Sequence, residues 1–261
     1  MSYSKITTKF IKTIKILIRL EASTIFKYLI NKKHKIISIK IRDLDIFIRK
    51  GTTDLRVAYT NIYDGEFNCL SYLLPKNFHG NIIDAGGYIG SSSLCLSRIF
   101  PNASIIAIEP STKNIALLKM NTSAVRNISI IQGALVGSSK ENIDLLDRRT
   151  GEWGFSTISN PLDISSPNYI EKVRAINIKS IINEYKNIGI FKIDIEGGEV
   201  DLFDCASNEL SNIPVIFIEI HERIKPGSME TFINFSKNRH IVELGSNKFL
   251  SIKKDYSIGE K

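Results

Sequence analysis

Four acidic side chains stand where short apolar runs end. Asp84 follows Asn81-Ile82-Ile83, Glu109 follows Ile105–Ile108, Asp194 follows Ile190–Ile193, and Glu219 follows Val215–Ile218. Asp84 also opens the spacing Asp84-x-Gly86-x-x-x-Gly90, and Glu109 lies 19 residues after Gly90. Glycines between a strand and a helix let the backbone approach a ligand closely and let the helix pack tightly on the sheet. A carboxylate at the position of Glu109 can accept two hydrogen bonds from a ribose 2′,3′-diol, so the expected ligand contains a nucleoside.

Two cofactor classes bring a nucleoside to such a place. A nicotinamide dinucleotide sets its pyrophosphate on the helix N-terminus behind G-x-G-x-x-G. Here Ala85 occupies the first glycine position, and Asp84 would oppose the phosphates. S-adenosylmethionine (SAM) has no phosphate, and its amino group suits Asp84, directly or through water. The residue types favour SAM, with an NAD-linked oxidoreductase as an alternative.

These side chains need a framework that gathers strand ends. Asn81–Asp84 reads as a buried strand, 86–90 as a loop, and Ser91–Ile99 as a helix stopped by Pro101. Ser104–Glu109 reads as a second strand closed by Pro110, 111–124 as a second helix, and Ile128–Val136 as a third strand. Ile190–Ile195 and Val215–Ile220 read as two more strands. Buried strands separated by helices predict a mostly parallel sheet covered on both faces. Right-handed crossovers then carry the carboxyl ends, with all four acids, to one crevice. His240–Leu244 and Phe249–Ile252 flank a Gly245-Ser246-Asn247 turn and read as a hairpin. Residues 137–178 break the rhythm and hold Arg148, Arg149 and Trp153, the single tryptophan. They read as an insertion beside the crevice, where Trp153 and Phe155 either pack a hairpin or stack on a sugar ring.

Taken together, the runs 81–90, Ile106-Ala107-Ile108-Glu109-Pro110, 191–199 and 217–221 resemble the successive motifs of FkbM-type SAM-dependent methyltransferases. The run Lys192-Ile193-Asp194-Ile195-Glu196-Gly197-Gly198-Glu199 is the most specific of them, and the likeness covers about residues 52–225. Upstream, Thr53-Asp54 and Glu66-Phe67 sit where the family's lead-in helix carries an S/T-D and an acid–aromatic pair. The resemblance implies an α/β, Rossmann-like class I methyltransferase fold: a mostly parallel seven-stranded sheet with an antiparallel last strand and helices on both faces. It implies cofactor contacts at Glu66, Asp84, Gly86, Tyr88, Gly90, Glu109 and Ala134. It also implies O-methylation, mainly of sugar hydroxyls in glycans or glycolipids, or of secondary-metabolite hydroxyls. One departure stands out. Similar family members carry Ala-Asn after the first glycine, where this chain has Gly87-Tyr88, which changes what meets the methionine part of SAM.

Methyl transfer from a sulfonium is an in-line displacement. Alignment supplies roughly 7–11 kcal/mol at best, and a positioned base for the acceptor hydroxyl roughly 10²–10⁴ in rate. Asp194, next to the switch point, is expected at the reacting centre as the base or its orienter. His221 is the second candidate base because its unperturbed pKa lies near neutrality, and Glu219 completes the catalytic set. Alternatively Asp194, Glu219 and His221 can hold a divalent metal that lowers the pKa of a bound oxygen; no residue is assigned to a metal. Glu196 and Glu199 read as favourable acids at the start of the next helix.

Charge divides the chain differently. The 261 residues carry +8, but residues 1–50 hold thirteen Lys/Arg against three acids, a balance of +10, and the remainder carries −2. This pattern suggests a basic arm over 1–50 and a near-neutral body over 51–261, which the resemblance implies is a methyltransferase domain. It argues against nucleic acid as a partner, because the body has no basic excess. Within the arm, residues 8–30 read as an amphipathic helix, with Phe10, Ile14, Leu17 and Ile18, then Ile25, Tyr28 and Leu29, at helical spacing. Ile36–Ile41 and Asp45–Arg49 read as a hairpin ending near Gly51. The helix either packs on the body or meets an anionic membrane surface through residues 1–30. Cys69, Cys95 and Cys205 lie far apart with no C-x-x-C. No apolar run reaches the roughly 18–20 residues of a membrane span, and no signal-peptide pattern is present. The expected location is cytoplasmic, at most peripheral on the inner membrane face.

Overall fold

The computed structural model describes residues 11–148, 151–157 and 168–256. Phe10, at the start of the expected helix, and Arg149 lie outside them. The arm helix is two helices, α1 over residues 11–17 and α2 (Ala22–Ile30), because Glu21 adopts an extended backbone at φ −60°, ψ 146°. The hairpin follows as β1 (Ile36–Ile41) and β2 (Leu44–Arg49), with Ile36 opposite Arg49 and Ile41 opposite Leu44. α2 docks on β1, where the Lys40 amide donates to the Thr24 hydroxyl at 3.1 Å and so finds a partner despite lying on a sheet edge.

α3 (Asp54–Tyr59) runs into a π-helical turn, Thr60–Asp64, closed by Gly65 in the left-handed conformation. Then come β3 (Asn81–Ala85), α4 (Ser91–Ile99), β4 (Ser104–Glu109), α5 (Thr112–Thr122) and β5 (Ile128–Gln132). The strand expected over 128–136 divides at Gly133, whose φ is +158°. A Cβ there would lie 2.6 Å from Ile176 and 2.8 Å from the Arg174 carbonyl, so only glycine lets the chain leave the main sheet at this point. It continues as β6 (Ala134–Val136). The irregular stretch forms β7 (Asn142–Asp147), β8 (Phe155–Ser156) and β9 (Asn168–Asn177), a second sheet in the order β6-β9-β7-β8.

α6 (Ile178–Glu184), β10 (Ile188–Ile193), α7 (Glu199–Ser211), β11 (Val215–Glu219), α8 (Ser228–Phe235), β12 (Arg239–Gly245) and β13 (Lys248–Lys253) complete the chain. The main sheet has seven strands in the order β12-β13-β11-β10-β3-β4-β5, and only β13 runs against its neighbours. The architecture is the one expected from the sequence: mostly parallel, helix-flanked, with an antiparallel last strand.

The strands are apolar on both faces, as a doubly covered sheet requires. Ile83, Ile106, Phe191 and Ile216 pack into the layer holding α7 and α8. Ile82, Ile105, Ile190 and Val215 face the opposite layer with Phe100 and Leu70. A third cluster joins Leu17, Leu20 and Tyr28 of the arm and the isoleucines of the hairpin to Tyr88, Ile89, Leu94 and Leu117. The core therefore runs unbroken across residue 50, where the charge pattern places a boundary.

Strand register fixes the site. Ala85 pairs with Ile108 and with Ile193, and Ile193 pairs with Ile218. The residues one step beyond this row are Gly86, Glu109, Asp194 and Glu219. Three of the four expected acids thus share one edge. Asp84 lies one residue back, in register with Lys192.

Candidate active site

A cleft of about 330 Å³ opens at this edge, within the usual range for small-ligand sites. Glu66, Gly86, Tyr88, Glu109, Ala134, Asp194 and Glu219 line it. Asp84, Gly90 and His221, expected there from sequence, do not.

Asp84 is fully buried. Its Oδ2 accepts the hydroxyls of Ser92 and Ser93, both at 2.6 Å, and its Oδ1 pairs with Lys192 Nζ at 3.1 Å. The carboxylate lies beneath the cleft lining and holds the start of α4 against the sheet. Lys192 also donates to the Ala85 and Gly86 carbonyls at 3.2 and 2.8 Å. Burial opposes its charge, yet Asp84 and Asp194 hold its pKa above the ordinary lysine value. Lys192 fastens the turn from beneath, and its Nζ lies 3.7 Å from Asp194 Oδ2.

Gly86 has φ +81°, and a Cβ there would stand 1.8 Å from the Asp194 carbonyl oxygen. No side chain fits, so this glycine lets the β3 and β10 turns meet. Gly90 serves packing instead: its Cβ position lies 3.2 Å from Thr122 and 3.4 Å from Leu118 on α5.

Glu109 lines the cleft but is largely committed to the protein. Oε1 accepts from the Ser111 amide and the Asn114 side chain, and Oε2 from the Tyr88 amide, each at 3.0 Å. An ionised carboxylate has about four acceptor sites, so one strong site remains for a ribose hydroxyl, fewer than the two expected. Burial raises its pKa against these hydrogen bonds.

Tyr88 occupies the left-handed region at φ +49°. Asparagine tolerates that conformation and most side chains resist it, which accounts for the family's asparagine. Here the Glu109 bond holds the backbone, and the ring is anchored at its far end. Its hydroxyl donates a short hydrogen bond to Asp54 Oδ1 and lies 3.2 Å from the Thr53 hydroxyl. Asp54 in turn takes both the Nε and Nη2 of Arg49, at 2.8 and 3.0 Å, and Arg49 reaches Asn114 at 2.9 Å. Tyr88 thus ties the β3–α4 loop to the residues that follow the hairpin.

The other end of the cleft is a charge cluster. Nε2 of His221 is 3.7 Å from Asp194, 3.5 Å from Glu196 and 3.8 Å from Glu219. Its Nδ1 lies 2.8 Å from Oε1 of fully buried Glu199. Burial opposes the imidazolium, but Glu196 and Glu199 outweigh it and lift the pKa well above the ordinary histidine value. Burial, then Asp194, pushes Glu219 up to about 8; burial also raises Glu196. Glu219 further pairs with Lys248 at 3.4 Å, and Lys248 makes a short contact with Glu66. His221 therefore stands behind the carboxylates as a cation, while Asp194 and Glu219 face the cleft.

From its place in the sequence, Glu199 reads as a capping acid in preference to a chemical one. It does accept the Gly197 amide at 3.2 Å, but it also orients His221. That second role depends on the β11 turn folding back over the start of α7, which no local spacing signals. Asn114 and Lys248 were also missed; both reach the site only through tertiary packing. The insertion does reach the cleft, through Glu152, Trp153, Phe155 and Thr157, with the Arg56 guanidinium 5.3 Å from the Trp153 ring centre.

Comparison with known proteins gives this geometry a family. The chain matches the methyltransferase FkbM domain over residues 84–243. Methyltransferase 1 of Beauveria bassiana (strain ARSEF 2860) is 23% identical over 147 residues, which cover 49% of this chain and 59% of that protein. Among solved structures, an FkbM methyltransferase from Methylobacillus flagellatus KT aligns with TM-score 0.45 and 15% identity, over 68% of this chain and 44% of that one. A precorrin-6y C5,15-methyltransferase from Geobacter metallireducens GS-15 aligns with TM-score 0.45 and 13% identity, over 84% and 98% of the two chains. Since the domain match takes in more than half of its residues, the chain belongs to the FkbM methyltransferase family.

Proposed function

We propose that this chain is a SAM-dependent O-methyltransferase whose acceptor is a sugar hydroxyl of a glycan or glycolipid. The observation that carries the reading is the acid-rich cleft beside the β3 turn, lined by six acidic and three basic side chains. Such a surface suits a cationic ligand. The start of α4, where a dinucleotide would rest its phosphates, is closed by Asp84 and its two serines, which disfavours the NAD reading. Glu66, Gly86, Tyr88, Glu109 and Ala134 would hold SAM, and bound SAM supplies a methyl group activated by a positive sulfur.

The chain's own residues supply the rest. Asp194 receives the acceptor hydroxyl and aligns it. Glu219 takes the proton, since a carboxyl group with a pKa of about 8 is a better base near neutrality than an ordinary carboxylate. Imidazolium His221, fixed by Glu199, holds both in place. Trp153 and Phe155 offer an aromatic wall for a sugar ring. The same wall would take a flat secondary metabolite, so screening both acceptor classes with labelled SAM decides between them. Asp194→Asn is expected to lower transfer by about 10² through lost alignment while SAM binding persists. Unchanged transfer would remove Asp194 from the reacting centre.

A second reading uses the same side chains. Ligand atoms of Asp194, Glu219 and His221 lie within 4.8 Å of one another, close enough to share a divalent ion. Dialysis against EDTA separates the two. Transfer survives it if His221 supplies the positive charge, and is lost and restored by Mn²⁺ if an ion does.

A further inference from the structure

The two arm helices each carry a second apolar face that the fold does not use. On α1 and the turn that ends it (residues 11–20), Leu17 and Leu20 are buried against the hairpin core. Ile11, Ile14 and Ile18, spaced i, i+3, i+7, point the other way and are 50%, 41% and 70% exposed. On α2, Thr24 and Tyr28 are buried, whereas Phe26, Leu29 and Ile30 are 64%, 65% and 63% exposed. A soluble helix normally keeps its solvent side polar, and clustered exposed apolar side chains mark an interaction surface.

Their surroundings are cationic. Lys12 and Lys15 are exposed on α1, Lys27 on α2, and Lys32, Lys33 and Lys35 in the turn that follows. The sole acid of this stretch, Glu21, is paired with Lys40 at 3.8 Å. No described helix is long and apolar enough to cross a membrane, so a surface contact is the form such a face can take.

From these observations we infer that α1 and α2 dock the protein on an anionic lipid bilayer. Ile11, Ile14, Ile18, Phe26, Leu29 and Ile30 enter the headgroup zone, and the flanking lysines lie over the negative lipids. Their inner faces stay on the hairpin, so docking needs no unfolding. A protein partner would have to match both the apolar stripes and the positive rim, whereas a bilayer supplies both at once. This inference does not depend on which cofactor the cleft holds.

Co-sedimentation of the full chain with vesicles tests it. Vesicles of phosphatidylcholine with about 30% phosphatidylglycerol should bind the protein more than tenfold better than phosphatidylcholine alone, and added salt should weaken the binding. Phe26→Ser, Leu29→Ser and Ile30→Ser together should lower binding more than tenfold with an unchanged circular dichroism spectrum, because these side chains are exposed. Equal binding to neutral and anionic vesicles, or undiminished binding by the triple variant, would overturn the inference. So would a soluble dimer that the triple variant dissociates, since the face would then belong to a second copy.

Discussion

Glu219 is held in an environment that opposes its charge, and two measurements follow from that. In the proposed role of proton acceptor it must be ionised to act, so kcat/KM should climb with pH and level off above about 8. Glu219→Gln should lower the plateau by about 10²–10⁴ and remove that limb. Stability should run the opposite way. The folded protein holds a proton on Glu219 that the unfolded chain releases near 4.5, so stability falls as pH rises from about 4.5 towards 8. His221 has the same sign: its raised pKa stabilises the fold at low pH, and this is lost as pH climbs through the folded value. The melting temperature should therefore decline from pH 5 to about pH 8, and less steeply in Glu219→Gln. A melting temperature that rises over this interval would contradict the assignment of both groups.

The turn after β3 is the element on which the site depends, and it shows what the sequence made legible. Its ends, Gly86 and Gly90, are readable from motif spacing, as is Glu109 at the end of β4, and the strand runs around them are unmistakably apolar. Asp84 was misplaced because register, not spacing, decides which residue clears the sheet edge. Pairing of Asp84 with Lys192 sinks the acid one step below the cleft. The β5–β6 break was hidden because apolar residues continue through Gly133, and its backbone conformation becomes visible only against Ile176. The setting of His221 is not legible in the spacing, since Glu196 and Glu199 look like ordinary helix-start acids until β11 brings the imidazole to them. Tyr88 is the element's tether. Tyr88→Phe removes the hydroxyl bond to Asp54 and should cost about 1–3 kcal/mol, measured by urea unfolding, and weaken SAM binding by loosening the loop. Retention of full stability would show that the hairpin and the loop are not coupled through this ring.

At the scale of the molecule, the +10 of the first fifty residues does not mark a detachable arm. Leu17, Leu20 and Tyr28 fill the same cluster as Tyr88 and Leu94, so the arm's inner face is part of the body's core and its outer face is exposed. Deleting residues 1–30 should cost up to roughly 4–9 kcal/mol, from three apolar side chains at about 1.5–3 kcal/mol each. An unchanged melting temperature would instead make the arm an independent appendage. The molecule thus presents a basic, apolar face on its arm and an acid-lined cleft on its body. Isothermal titration of SAM into the full chain tests the cleft's proposed role most directly. One molecule of SAM should bind per chain, NAD⁺ should give no heat, and Glu109→Gln should weaken SAM at least tenfold, as expected for losing a hydrogen bond to a charged group. No heat from SAM with the wild-type protein, or equal affinity in the variant, would contradict it.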